Sequence, residues 1–148
     1  MTEASKNDNS TNALLRQLFD TPDLEKFMDG HAADMALPPF HAYLMDLCRA
    51  TGQVPEQVIK RAAIERTYGH QLFNGTRNPS RDKVIQLAFG LRLDWDDTQR
   101  LLQVAQKSPL YPRIKRDAAI LYCLNHQKDI LETQSVLQSL GLTLLGGE

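Results

Sequence analysis

The sequence predicts an all-α chain. Three observations carry that expectation. No segment keeps an apolar–polar alternation of period two, so no strand is read. Apolar residues instead recur at intervals of three and four. The stretches in which they do so are bounded by glycines, prolines and N-capping side chains. With 148 residues, 42% of them hydrophobic and 24% charged, the chain is long enough to bury a core. The expectation is one domain with appendages.

The elements follow in order. Residues 1–11 are polar and terminal and are expected to be a disordered tail. Leu14, Leu15, Leu18 and Phe19 give the first helical stretch. Thr21-Pro22 reads as the N-cap and first position of a short helix ending at Gly30. Residues 12–37 thus form an N-terminal helical extension. Pro38-Pro39 sets a boundary, because proline lacks the amide that a helix interior needs. Five helices are expected between residues 38 and 106. The first carries Phe40, Leu44, Leu47 and Cys48 and stops at Gly52. The second runs from Pro55 to Ala62, with Val58 and Ile59 inward. The third runs from Glu65 to Asn74 and stops at Gly75. Ser80 caps the fourth, which turns Val84, Leu87, Ala88 and Leu91 inward. Asp94 caps the fifth, with Leu101, Leu102 and Ala105 inward. Residues 107–148 read as an antiparallel hairpin, one helix from Pro112 to His126 and one from Asp129 to Leu140. Its apolar positions are read as Ile114, Ala118, Leu121 and Leu124, then Ile130, Val136, Leu137 and Leu140. No internal repeat is read.

Composition narrows the function classes. No apolar run approaches the roughly 20 residues of a membrane span, and the start lacks a signal-peptide core. A cytoplasmic protein is the expectation. Cys48 and Cys123 lack any metal or redox spacing and read as reduced core thiols. The four histidines share no ligand spacing, so neither a metal nor a cofactor is expected. No phosphate loop, nucleophile elbow or HExxH motif is present, so no enzyme is expected. Net charge is −1, but unevenly spread: −4 over residues 1–37, +2 over 38–106 and +1 over 107–148. Lys60, Arg61, Arg66, Arg77, Arg81 and Lys83 face three acids within residues 54–83, a local excess that permits phosphate contact.

The most informative stretch is RTYGHQLFNGTRNPSRDKVIQLAFGLRLDWDD, residues 66–97. It joins a short helix, a glycine, an Arg-Asn-Pro-Ser turn and an apolar helix. This resembles the second half of the phage-repressor and Cro-type helix-turn-helix domain, and the resemblance covers about residues 40–102. It implies a lambda-repressor-like five-helix domain whose third helix enters the major groove of double-stranded DNA. Carried over position by position, it implies base contacts by Arg66, Thr67, His70 and Gln71, and a phosphate contact by Arg77. It also implies a sequence-specific transcriptional regulator that binds as a homodimer.

Four departures from the family pattern involve five positions. Pro55 stands at a usual glutamine, Ala63 at a usual turn glycine and Gly69 at a usual apolar position. The fourth departure is paired: a buried arginine–glutamate couple falls on Cys48 and Phe73, so both charges are lost together. An alternative reading, with a near-neutral charge and an aromatic third helix in its favour, keeps the fold as a protein-interaction adaptor or antitoxin-like partner. The hairpin is expected to fold back on the five-helix core and to leave apolar surface for a second copy.

Overall fold

A computed structural model describes residues 2–35 and 37–146, without the side chains of residues 2–10 and 34. Every regular element among the described residues is an α-helix. The chain divides into two compact units, residues 1–37 and 38–148.

The first unit holds α1 (Thr2–Asp20), α2 (Leu24–Gly30) and α3 (Ala32–Met35). The stretch expected to be a disordered tail is helical from Thr2 onward; Met1 lies outside the described residues. Neither glycine nor proline interrupts residues 2–20, so the backbone can carry the helix through. The N-cap of α2 is Asp23 rather than Thr21: its carboxylate accepts from the Lys26 amide at 3.2 Å. Among the described side chains of this unit the buried one is Phe27, with its ring centroid 4.5 Å from that of His31. Leu15, Phe19, Leu24 and Met28 are exposed.

The second unit holds α4 (Phe40–Ala50), α5 (Pro55–Arg61), α6 (Arg66–Asn74), α7 (Arg81–Gly90), α8 (Trp95–Val104), α9 (Lys115–Asn125) and α10 (Ile130–Ser139). Its centre is α7, which buries residues on all sides, Val84, Ile85, Leu87, Ala88 and Phe89 among them. Around it α5 packs on α6 and α7, and α4 on α6 and α8. Cys48 and Phe73 are both buried in this one core.

Six of these helices stop in the same way. The second residue after each is left-handed: Gly52, Ala63, Arg92, Gln106, Gln127 and Gly141. The amide that follows reaches back five residues, as from Leu93 to the Ala88 carbonyl at 3.0 Å and from Lys128 to the Cys123 carbonyl at 3.0 Å. This arrangement satisfies carbonyls that the helix end leaves open.

The hairpin differs from expectation in its start and its buried face. Residues 112–114 form a turn, and α9 begins at Lys115. Ile114 is exposed, and the buried residues are Asp117, Ala119, Ile120, Cys123 and Leu124. Leu140 is exposed too, and the buried face of α10 is Ile130, Thr133 and Leu137.

The reason is an internal repeat, contrary to the reading that there is none. Residues 81–111 and 116–146 align with a constant offset of 35, and nine positions are identical. They are Arg81/Arg116, Asp82/Asp117, Ile85/Ile120, Asp94/Asp129, Thr98/Thr133, Gln99/Gln134, Leu102/Leu137, Gln103/Gln138 and Leu110/Leu145. The structure repeats with them. Helices α7 and α8 pair as α9 and α10 do, and the hairpins cross-pack α7 on α10 and α8 on α9. Arg81 forks onto Asp117 at 3.1 and 2.9 Å, and Arg116 forks onto Asp82 at 3.0 and 2.9 Å. Arg81 also donates to the Ser108 and Pro109 carbonyls, and Arg116 to those of Thr143 and Leu144, again 35 residues on. The Gln99 side chain brackets the Leu110 backbone, and Gln134 brackets that of Leu145. Asp117 accepts from the Tyr111 amide, and Asp82 from that of Gly146. The two hairpins are therefore related as the halves of a two-fold dimer, within one chain.

Burial alone would raise the Asp82 carboxyl pKa. The Arg116 guanidinium and the Gly146 amide outweigh it and hold the group below its ordinary range.

Candidate functional site

The site is built on α5 and α6. The helix that presents it is anchored by its inner face, where Gly69, Leu72 and Phe73 are buried. Gly69 stands where the family resemblance implied a larger apolar residue, and the structure supplies the reason. A Cβ there would run into the Ile59 side chain from α5, so Ile59 fills the space that a larger residue 69 would occupy. Glu65 caps α6, its carboxylate accepting from the Tyr68 amide at 2.7 Å. That bond comes first among the causes that hold its pKa below the ordinary value. Gly75 closes α6 with φ +84°, beside the His41 ring. Ala63, in the link from α5, is left-handed at φ +57° where glycine was the expected type.

The five expected side chains are all on the outside of the unit, and none is buried. They divide into two groups. Arg66 Nε donates to one Glu56 carboxylate oxygen at 2.6 Å, and His70 Nε2 lies 2.6 Å from the other. Gln71 belongs with Arg77, whose Nε donates to the Gln71 Oε1 at 2.7 Å. The Arg77 guanidinium lies 5.1 Å from the Tyr68 ring centroid, and Lys83 Nζ lies 5.9 Å from it. An aromatic face so placed attracts both cations. Thr67 is exposed at the start of α6, next to Glu65.

Two participants were not singled out in the sequence. Glu56 counted only as one of three acids in a basic stretch, yet it bonds two of the five expected residues. Those bonds hold its pKa down, that from Arg66 first, and raise that of Arg66 in return. Lys83 joins Arg77 over Tyr68. Conversely, two of the six basic residues counted toward a phosphate-binding face serve the fold. Arg61 donates to the Gly90 carbonyl at 2.9 Å and to Gln53, and Arg81 is committed to Asp117. The cations left on this face are Lys60, Arg66, Arg77 and Lys83.

Both cysteines are buried and unbridged, and burial pushes each thiol pKa up, away from reactivity. Among the described residues no cluster of His, Cys, Asp or Glu has the makings of a metal site. No helix among them is long and apolar enough to cross a membrane. Comparison with family models, with curated proteins and with solved structures finds no match to this chain.

Proposed function

We propose that this chain is a sequence-specific DNA-binding regulator of the phage-repressor type, acting in the cytoplasm, with α6 as its reading helix. The observation that carries the reading is the division of α6. Its inner face is core, and its outer face is the polar row Arg66, Thr67, His70 and Gln71, with Arg77 and Lys83 beside the Tyr68 ring. A surface helix of this kind offers donors and acceptors to base edges, while the flanking cations suit phosphates. A second copy is part of the proposal, since two-fold related half-sites call for two reading helices. The second unit keeps Tyr122, Leu131 and Leu140 exposed for such pairing.

The test is binding of the full chain to a pool of random-sequence duplexes across a salt series. Affinity should fall linearly on logarithmic axes as salt rises. Arg66→Ala and Gln71→Ala should each cost about 1–3 kcal/mol on a selected duplex and relax its base preference. Arg77→Ala should weaken all duplexes alike and flatten the salt slope by about one. Because Arg77 donates to Gln71, the Gln71 and Arg77 losses should not add. Failure to bind any duplex at low salt would sink this reading.

One observation favours the second reading, a helix-turn-helix kept as a protein-interaction module. Arg66 and His70 are already partnered by a carboxylate, which lowers the positive potential they present. Under that reading, calorimetry should show binding of a protein partner and none of duplex DNA.

A further inference from the structure

Glu56 stands in the first turn of α5 and reaches across to α6. One carboxylate takes up two of the side chains assigned to DNA, from successive turns of α6, each at 2.6 Å. All three side chains are open to water: Glu56 is 53% exposed, Arg66 74% and His70 40%. The pairing is therefore no part of the core, and a ligand can reach it. The chemistry of the acceptor matters. The two Glu56 oxygens are divided, one accepting from Arg66 Nε and the other facing His70 Nε2, whereas the O6 and N7 edge of guanine offers two acceptors to one guanidinium fork.

We propose that Glu56 is an internal counter-anion of the reading helix, displaced from Arg66 and His70 when DNA binds. The inference rests on the DNA-binding reading given above. Its consequence is selectivity. An exposed ion pair is weak enough for a well-matched base edge to replace it. A random sequence does not repay the exchange, and the displaced carboxylate then faces phosphates of like charge. Glu56 thus suppresses indiscriminate binding more than it suppresses the matched site.

The variant that tests this is Glu56→Gln, which keeps the shape and removes the charge. Its folding is checked first by thermal melting. Both proteins are then titrated with a random duplex and with the duplex that the unaltered protein selects best. On the random duplex, Glu56→Gln should bind about 5- to 10-fold tighter, and its salt slope should steepen by about one as Arg66 engages a phosphate. The ratio of selected to random affinity should fall several-fold. In an Arg66→Ala/His70→Ala background the same substitution should gain clearly less, about twofold at most, because only the repulsion between the carboxylate and phosphates is then removed. An equal gain in both backgrounds would show Glu56 to be a general repulsive charge and overturn the proposal. So would an unaltered protein that binds DNA with no effect of Glu56→Gln, and that result leaves the DNA reading standing. If neither protein binds any duplex, the DNA reading fails and the counter-anion falls with it.

Discussion

Leu87 in α7 and Tyr122 in α9 hold the same place in their two hairpins, yet Leu87 is fully buried and Tyr122 is 54% exposed. The same contrast runs along the helices. Gln86 donates to the Ala62 carbonyl at 3.1 Å, and its counterpart Leu121 has no polar side chain with which to do so. Gly90 lies against the Val58 carbonyl and Ala62, and its counterpart Asn125 is exposed. In the first hairpin this face carries α5 and, through it, α6 with the candidate site. In the second hairpin it is open. The positions identical in the two hairpins are of another kind: the Arg–Asp forks, the bracketing glutamines, the helix-capping aspartates and the apolar residues between the hairpins. One frame has been used twice, and only one copy presents a site.

The sharpest way to break that comparison is to remove one arginine. Arg116→Ala leaves the Asp82 carboxylate, 10% exposed, without its fork, and Arg81→Ala does the same to Asp117, 4% exposed. Breaking one half of a buried pair typically costs about 3–5 kcal/mol, because a charge stays behind in a poor solvent. Urea denaturation should show losses of that order for each variant. If the hairpins are equivalent, the two losses should agree within about 1 kcal/mol. A loss at one site alone would mean that the symmetry is geometric and not energetic. Asp82 gives the same pair a pH signature. Its pKa is lower folded than unfolded, so its contribution is full above the unfolded value of about 4 and is lost as pH falls through the lower folded value. Denaturation between pH 5 and pH 2 should therefore show an acid-side loss that Arg116→Ala reduces.

The difference between the hairpins, rather than their likeness, is probed by alanine at Gly90 and at Asn125. A Cβ on Gly90 meets a backbone carbonyl that has no rotamer to escape into. Gly90→Ala should cost about 1–3 kcal/mol and loosen α5. Asn125 is exposed at the end of α9, so Asn125→Ala should stay within about 0.5 kcal/mol of the parent. Parallel thermal melts measure both, and a cost at Asn125 equal to that at Gly90 would mean that the second face is covered after all.

Much of this architecture was legible in the sequence, for a physical reason. Asp94 and Ser80 cap through side chains that few other residues replace, and both cap where expected. The inward residues Val84, Leu87, Ala88 and Leu91 were legible from spacing, but burial of α7 goes further and takes in Asp82, Ile85, Gln86 and Phe89. The face of α9 misled, because Ile114, Ala118, Leu121 and Leu124 have helical spacing although the helix begins after Ile114. What fixes that face is Asp117, a charged residue buried by an arginine 36 positions away, and local periodicity carries no sign of such a bond. The repeat stayed hidden because nine identities are scattered through 31 positions and mark long-range bonds rather than a motif. At the candidate site the polar row of α6 came from the family resemblance, carried over position by position. Glu56 was not legible, because its role depends on how close α5 comes to α6.

The smallest expected effect comes from a position where the two hairpins already differ. Gln106 and Gly141 are counterparts, each two residues past its helix, with φ +58° and +70°. Each closes its helix with the same pair of backbone bonds, Lys107 to the Leu102 carbonyl and Gln106 to that of Gln103, then Leu142 to Leu137 and Gly141 to Gln138, at 2.9–3.0 Å. A left-handed backbone costs a residue with a Cβ about 1–2 kcal/mol, which glycine avoids. Glycine in turn gives the unfolded chain more freedom, which offsets about 0.5–1 kcal/mol. The net advantage of glycine is a few tenths to about 1 kcal/mol. Gln106→Gly should therefore raise stability by that amount and Gly141→Gln should lower it by the same amount. Nothing lies within 4 Å of a Cβ built on Gly141, so no clash confuses the measurement. Paired melts of the two variants give opposite shifts of a few degrees at most. Shifts of the same sign would mean that the two helix ends, alike in their hydrogen bonds, are held by different forces.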